Sequence, residues 1–391
     1  MKRLIFSFLI CLILFQYKAK AEDQKLPWQV QEVVYKAQQA IIKKDYINAE
    51  KILKKFIEKH KKSHYLIEFT LGNLLAQTDR KREALYHYKE STNLYPDYSD
   101  AWQNMGTTYF DLKQYEKAGN CFLRAYEINE KRHKNKPDVL YYAAISYIMA
   151  KKERKALPHL QQLVSGKLGP PKTEWLQALL KVYIDLKLEE RAFNIAYTLI
   201  DKEGDNPRWW KILAQLYLQK GDYKNAVAAF TIYSYLTPLN QEETMLLADL
   251  YYAIGLPLVA AKYYERAVTF KGDRPSYYEK LASAYIAAHR PDKAKDALNR
   301  ALNIKPTSQL WFMMAQILYE REKFKEAYEA LRKSTKLNPK KAEAWLLMGY
   351  CALHMDKKDL AREALKKASK FPKQKKMAKE LLKQIISREK R

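Results

Sequence analysis

The chain has 391 residues, of which 48% are hydrophobic, with only 10 glycines and 14 prolines. This composition excludes a disordered or low-complexity chain, and the length exceeds what one ordinary core serves, so we expect several domains or an array of repeats. The formal net charge of +27 favours either an anionic partner or lysines spread over solvated surfaces.

The first 21 residues have the layout of a secretory signal peptide. A basic start precedes an apolar run from Leu4 to Phe15, and Ala19-Lys20-Ala21 follows. We therefore predict a signal peptide over residues 1–21, cleavage after Ala21, and a periplasmic protein. A retained signal anchor is the alternative, although the apolar run is shorter than the about 20 residues of a spanning helix. Export argues against nucleic acid as the partner of this basic chain.

A pattern of large and small residues recurs along the rest of the chain. In a unit that starts at Pro207, Trp210 occupies position 4, Ala214 position 8, Ala226 position 20 and Phe230 position 24. Positions 4, 7, 8 and 11 fall on one stripe of a helix, and positions 20, 24 and 27 fall on one stripe of a second helix. Ten such units begin near residues 30, 65, 99, 137, 173, 207, 241, 275, 308 and 342.

This pattern resembles the tetratricopeptide repeat, whose W-x2-L-G-x2-Y…A-x3-F…P signature spans 34 residues. The resemblance implies an all-α fold, a solenoid in which helix–turn–helix repeats form a right-handed superhelix. Irregular spacing divides it into an N-terminal block of three repeats (22–136), a fourth repeat with a Gly/Pro linker (137–172), a C-terminal block of six repeats (173–373) and a basic capping helix (374–391).

The C-terminal segment is both amphipathic and basic. Pro372 introduces a predicted helix whose apolar face carries Met377, Leu381, Leu382, Ile385 and Ile386, and this face suits a cap over the last repeat. Residues 366–391 hold eleven lysines and arginines against Glu380 and Glu389. This charge suits either a weak contact with an anionic membrane surface or a solvated cap face.

The sequence contains no pattern that indicates catalysis, a cofactor or a metal. His60 and His64 lie four residues apart across a predicted helix end, with no third ligand nearby. There is no Gly-rich phosphate loop, no G-x-S-x-G and no H-E-x-x-H. The two cysteines outside the leader, Cys121 and Cys351, do not make a disulfide framework. We predict that the protein is not an enzyme. A hydrolase that has evolved its nucleophile and base independently is an alternative hypothesis, beside the two non-enzymatic ones given below.

The resemblance also implies where a partner binds. Tetratricopeptide arrays usually bind partners on a concave surface lined by the first helices of the repeats. In each first helix, positions 2, 5, 9, 12 and 13 are expected to point toward that surface. The candidate partner-binding residues at these positions are Phe69, Asn73, Gln103, Tyr141, Lys181, Arg208, Lys211, Gln215, Tyr252, Phe312, Gln316 and Tyr319. Aromatic rings mixed with amides and lysines suit a protein or an extended peptide.

The carboxylate clamp of chaperone-binding tetratricopeptide domains is rejected. Asn73 and Asn104 occupy its asparagine positions, but its cation positions hold Phe69, Asp138 and Tyr142. The charges that neutralise a terminal carboxylate are therefore missing.

Two further stretches sharpen the leading hypothesis, a non-enzymatic protein–protein scaffold in the bacterial periplasm. The segments His64–Leu75 and Val139–Leu160 resemble exported tetratricopeptide proteins that are associated with TonB–ExbB–ExbD systems. This resemblance implies an accessory of TonB-dependent energy transduction or uptake, with a TonB-system component as partner. The alternative is an adaptor of polysaccharide or peptidoglycan assembly that binds glycan or its enzymes.

Overall fold

A computed structural model describes residues 26–60, 63–270 and 274–389 of the chain. Within these ranges there are 21 helices and no strand, which confirms the predicted all-α fold. The predicted signal peptide, residues 1–21, lies outside the described residues and stays a prediction. The chain divides into two compact units, Met1–Ile195 and Ala196–Arg391.

The first unit is built from successive antiparallel helix pairs. Its helices are α1 (Trp28–Ile42), α2 (Tyr46–Lys59), α3 (Tyr65–Gln77), α4 (Lys81–Leu94), α5 (Ser99–Asp111), α6 (Tyr115–Lys131), α7 (Pro137–Met149), α8 (Glu153–Val164) and α9 (Thr173–Asp185). The boundary between the two units lies inside α10 (Glu189–Lys202).

The second unit continues the same alternation. Its helices are α11 (Pro207–Lys220), α12 (Tyr223–Leu236), α13 (Gln241–Ala253), α14 (Pro257–Ala267), α15 (Pro275–Ala287), α16 (Pro291–Ile304), α17 (Ser308–Glu320), α18 (Phe324–Leu337), α19 (Ala342–His354), α20 (Lys358–Ala368) and α21 (Pro372–Glu389). From the second repeat onward, first helices begin at the predicted unit starts, while α1 begins two residues earlier than predicted. The predicted boundaries at residues 136 and 172 stay predictions.

Small residues at position 8 let the two helices of a pair approach closely. A Cβ added to Gly72 would lie 2.7 Å from the ring of Tyr88, which occupies position 24 of the same repeat. The equivalent distances are 3.1 Å from Gly106 to Phe122 and 2.6 Å from Gly349 to Leu365. The pairing of a small residue with a large one, read from the 34-residue period, therefore holds in three separate repeats.

Tryptophan at position 4 attaches the start of a first helix to the segment before it. The indole of Trp102 donates a hydrogen bond of 2.8 Å to the carbonyl of Pro96. Trp210 and Trp345 make the same bond to the carbonyl six residues upstream, Gly204 at 2.8 Å and Pro339 at 2.9 Å. The repeated tryptophan thus orients each helix relative to its preceding loop as well as filling the core.

Position 15, in the turn between paired helices, has a left-handed backbone in all ten repeats. Glycine occupies it twice, at Gly221 (φ 77°) and Gly255 (φ 79°). The other eight repeats place a side chain there: Lys44, Asp79, Lys113, Lys151, Lys187, His289, Glu322 and Asp356, with φ between 52° and 61°. Because this conformation costs a non-glycine residue roughly 1–2 kcal/mol, each turn is held by the helix pair around it.

The C-terminal helix α21 packs on the last repeat, but its buried stripe differs from the prediction. Ala378 and Ile385 are 0% and 3% exposed, and Leu381 and Leu382 pack half-buried beside them. Met377 and Ile386 were expected on this face, yet both are 49% exposed. They lie about 90° to either side of the buried stripe at 100° per residue, so they are margin residues.

Candidate partner-binding face

The twelve candidate residues lie on first helices of both units, and their exposure separates them into three groups. Phe69 is buried. The half-buried group is Asn73, Gln103, Tyr141, Lys211, Phe312 and Tyr319. The exposed group is Lys181, Arg208, Gln215, Tyr252 and Gln316.

Phe69 does not face solvent, which corrects the outward orientation expected from its register. Its ring is 8% exposed and meets the ring of Tyr98 edge-on at 5.0 Å. Tyr98 also contacts Tyr65, with ring centroids 4.9 Å apart. Tyr98 directly precedes α5, so the next repeat covers the side of α3 that carries Phe69. This cover depends on how consecutive repeats pack and has no signature in the 34-residue pattern.

Asn73 joins two repeats through its side-chain oxygen. The hydroxyl of Tyr88 donates to Asn73 Oδ1 at 2.8 Å, and the amide of Asn104 donates to the same atom at 2.7 Å. Burial raises the pKa of Tyr88 well above its usual value. The two asparagines that match the chaperone clamp are therefore bonded to each other.

Lys211 is also committed within its unit. Its ammonium lies 2.5 Å from Glu243 Oε1, and the hydroxyl of Tyr233 donates to the same oxygen at 2.8 Å. Burial alone would raise the pKa of Glu243, but hydrogen bonds from Lys211 and Tyr233 outweigh it and lower that pKa. The hydrogen bond to Glu243 raises the pKa of Lys211. Lys211 thus joins α11 to the first turn of α13.

Several other candidates have partners close by. The hydroxyl of Tyr319 lies 3.3 Å from Nε2 of His354, whose ring stacks on Phe324 at 4.2 Å. Lys181 pairs with Asp185 at 2.6 Å on the same helix. The ammonium of Lys341 lies over the Phe312 ring at 4.6 Å, and the guanidinium of Arg208 lies over the Trp209 ring at 5.1 Å. Burial raises the pKa of Tyr141 to about 12.

Three exposed candidates have side chains without a bonding partner among the described residues. Among the described residues, Gln215, Tyr252 and Gln316 form no side-chain hydrogen bond or ion pair. All three lie on first helices of the second unit, at positions 9, 12 and 9. Exposed apolar side chains on first helices include Met149 on α7 (49%) and Leu246 on α13 (36%). Met149 occupies position 13, one of the predicted concave-face positions, whereas Leu246 occupies position 6, which is not one of them.

The histidines and cysteines have structural environments. His60 Nδ1 lies 2.7 Å from the carbonyl of Phe56, and His64 Nδ1 accepts the backbone N–H of Leu66 at 3.2 Å to cap α3. The described part of the chain contains no group of three or more residues suited to hold a metal. Burial raises the pKa of both Cys121 and Cys351 to about 12, so neither thiol is readily ionised.

One buried ionisable pair was not anticipated. Glu68 is 4% exposed, and its Oε2 lies 2.6 Å from Nδ1 of His87, which joins α3 to α4. Position 4 usually holds a large apolar residue in this chain, so a glutamate there is the signal that sequence reasoning could have used.

No helix in the described ranges is both long enough and apolar enough to cross a bilayer.

Comparison with known proteins identifies the repeat. The tetratricopeptide repeat family matches residues 99–132, 138–165 and 196–240, and the C-terminal domain of cilia and flagella-associated protein 70 matches residues 235–375. The chain is a tetratricopeptide-repeat protein. The solved structure of Naa15/Naa10 bound to HypK-THB has a TM-score of 0.52 at 14% identity, over 88% of this chain and 63% of that chain. This likeness shows the fold.

Two curated relatives share part of the array. The human protein O-mannosyl-transferase TMTC1 is 29% identical over 137 residues, which are 34% of this chain and 16% of that protein. The TPR repeat-containing protein MJ1428 of Methanocaldococcus jannaschii is 25% identical over 247 residues, 61% of this chain and 36% of that protein. The chain therefore spans about a sixth to about a third of the length of these relatives.

Proposed function

We propose that this protein is a non-enzymatic scaffold that holds a protein or an extended peptide against the first helices of its repeats. Tetratricopeptide-repeat proteins are generally interaction scaffolds, and the observation that carries the proposal here is the set Gln215, Tyr252 and Gln316. These side chains are exposed and unbonded among the described residues, whereas most other candidates are used to join neighbouring elements. An aromatic ring and two amides on first helices of the same unit offer apolar contact and backbone-like hydrogen bonds, which suit an extended peptide.

The proposed setting is the bacterial periplasm, with a TonB-system component as the partner. The signal-peptide layout of residues 1–21 supports export, and the resemblance of His64–Leu75 and Val139–Leu160 to exported repeat proteins of TonB–ExbB–ExbD systems supports the partner. The first-helix contact and the TonB assignment are separable, because the scaffold needs only an extended partner.

Site-specific photo-crosslinking in cells tests both parts. A photoreactive amino acid is placed singly at Gln215, Tyr252 and Gln316, and captured proteins are identified by mass spectrometry. Matched controls carry it at exposed second-helix positions of the same unit, Ala228, Lys262 and Lys325. We expect TonB or ExbD to be captured from the first-helix positions and not from the controls. Purified periplasmic segments of both proteins then test direct binding.

The other outcomes divide the proposal. Capture of glycan-assembly proteins from the first-helix positions would retain the scaffold and overturn the TonB assignment. Equal capture from first and second helices would overturn the proposed binding face. Lys211 is a candidate residue too, but it is not substituted in this experiment. The change Lys211→Glu would place a second carboxylate against Glu243 and disturb the contact between α11 and α13.

A further inference from the structure

Helix α21 has two chemically opposite faces. The side that packs on the last repeat is apolar, with Ala378 and Ile385 buried. The opposite side carries four exposed lysines, Lys373, Lys376, Lys379 and Lys383. At 1.5 Å per residue these form a row about 15 Å long, and at 100° per residue Lys376 and Lys383 point roughly 150–170° away from the buried stripe.

The lysines of this row form no ion pair and no side-chain hydrogen bond among the described residues. By contrast, Lys367 on the neighbouring α20 pairs with Glu363 at 2.8 Å. Between Pro372 and Ile386 the only carboxylate is Glu380. The outer face of α21 therefore carries a net positive charge.

We propose that the outer face of α21 binds the surface of a lipid bilayer that contains anionic headgroups. The outer face has four lysines against one exposed carboxylate, Glu380, and this net positive face is complementary to a flat anionic surface. Met377 and Ile386, each 49% exposed, lie at the two margins of the lysine face, where they can enter the interface while the lysines contact headgroups. This inference does not depend on the scaffold function proposed above.

The side-chain types on this face favour lipid over nucleic acid or a folded acidic protein. Within residues 372–386 every cation is a lysine and none is an arginine. The planar guanidinium of arginine is the group suited to bidentate recognition of phosphate or carboxylate. The helix carries no aromatic side chain on which bases could stack. Lysines act as hydrated point charges, which suits delocalised attraction to a surface.

Vesicle binding by residues 22–391, the chain without the predicted signal peptide, tests the proposal. Co-sedimentation compares phosphatidylcholine vesicles with vesicles that also contain phosphatidylglycerol, at low and high salt. The test variant is Lys373→Gln/Lys376→Gln/Lys379→Gln/Lys383→Gln. The control variant, Lys224→Gln/Lys262→Gln/Lys325→Gln/Lys336→Gln, removes the same charge from exposed, unpaired lysines on second helices of the same unit.

We expect the wild type to bind the anionic vesicles, to bind the neutral ones far less, and to be released by salt. Each lysine at such a surface contributes roughly a five-fold gain in binding, so the loss of four lysines in the test variant should weaken binding by roughly several hundred-fold, and the control only a few-fold. Equal losses in the two variants would show a response to net charge alone and overturn the proposal. Binding that ignores lipid charge, or retention on an acidic polymer without vesicle binding, would overturn it as well. Circular dichroism confirms that both variants are folded.

Discussion

The ammonium of Lys280 lies 2.6 Å from Asp249 Oδ2 and joins consecutive repeats of the second unit. The hydroxyl of Tyr264 donates to the same carboxylate at 2.5 Å. In the first unit, Asn73 accepts from a tyrosine and from the next repeat in the same way, with Tyr88 and Asn104 as donors. Both acceptors occupy position 9, both tyrosines position 24, and both outer donors position 6 of the following repeat. The chain thus uses one polar junction twice with different chemistry.

Asp249→Ala should destabilise the second unit by about 1–3 kcal/mol. Tyr264 is 2% exposed, so losing its acceptor leaves a buried hydroxyl unsatisfied. The ion pair adds little, because Lys280 and Asp249 are 46% and 38% exposed. Asp249→Asn, which reproduces the junction at Asn73, should lose less. Urea unfolding measures these differences in the free energy of unfolding.

The control for this junction is Lys280→Met, which keeps the buried bond between Tyr264 and Asp249. We expect it to cost less than about 1 kcal/mol. A loss as large as that of Asp249→Ala would mean that the ion pair, and not the tyrosine hydroxyl, holds the repeats together.

Glycine at position 15 should stabilise the turns that now strain a side chain. Lys187→Gly and Glu322→Gly each relieve a left-handed backbone, with φ of 57° and 58°. Removing the backbone strain of the folded state stabilises the protein more than the added conformational entropy of glycine in the unfolded chain destabilises it. We therefore expect the free energy of unfolding to rise by about 0.5–1 kcal/mol. Thermal and urea unfolding of the single variants measure the gain.

Two substitutions separate the backbone effect from the loss of a side chain. Lys187→Ala removes the lysine but retains the strain, so its stability should match the wild type. Gly221→Ala should lose about 1 kcal/mol although nothing lies within 4 Å of the added Cβ. If Lys187→Gly and Lys187→Ala behave alike, the left-handed turn is not under strain.

The sequence predicted the helices and their internal contacts because these depend on residues within one repeat. The pairing of Gly72 with Tyr88 follows from a 34-residue period and the geometry of a helix pair. The left-handed turn was visible only in part, since glycine marks it at Gly221 and Gly255 and ordinary side chains occupy it elsewhere.

The candidate face was harder to predict because it depends on contacts between repeats. Lys211 and Glu243 lie 32 residues apart, and their sequence pattern shows two charged residues without showing that they meet. Phe69 has an outward register but is covered by Tyr98. The side chains left exposed and unbonded emerge only after these junctions are known.

Gly72→Ala should destabilise the first unit even though alanine favours helix. The added Cβ would lie 2.7 Å from two ring atoms of Tyr88, and relieving such overpacking costs about 1–3 kcal/mol. The higher helix propensity of alanine offsets this cost by about 1 kcal/mol. At Gly106 the nearest ring atoms of Phe122 are 3.1 Å away, so Gly106→Ala is the matched control and should be closer to neutral. Equal urea midpoints for the two variants would contradict the role assigned to close approach.

The bond between Lys211 and Glu243 should make the second unit more stable at neutral pH than in acid. The pKa of Glu243 is lowered from its usual 4.5 in the folded protein, so its contribution is present above that value and is lost as the pH falls through the folded pKa. Lys211 stays protonated in both states over this range. Glu243→Gln should therefore cost about 1 kcal/mol at about pH 7 and progressively less toward about pH 3, by urea unfolding. Glu242→Gln removes the same charge from the adjacent exposed position and is the control. A difference between wild type and Glu243→Gln that is constant with pH would show that Glu243 acts through packing and not through its charge.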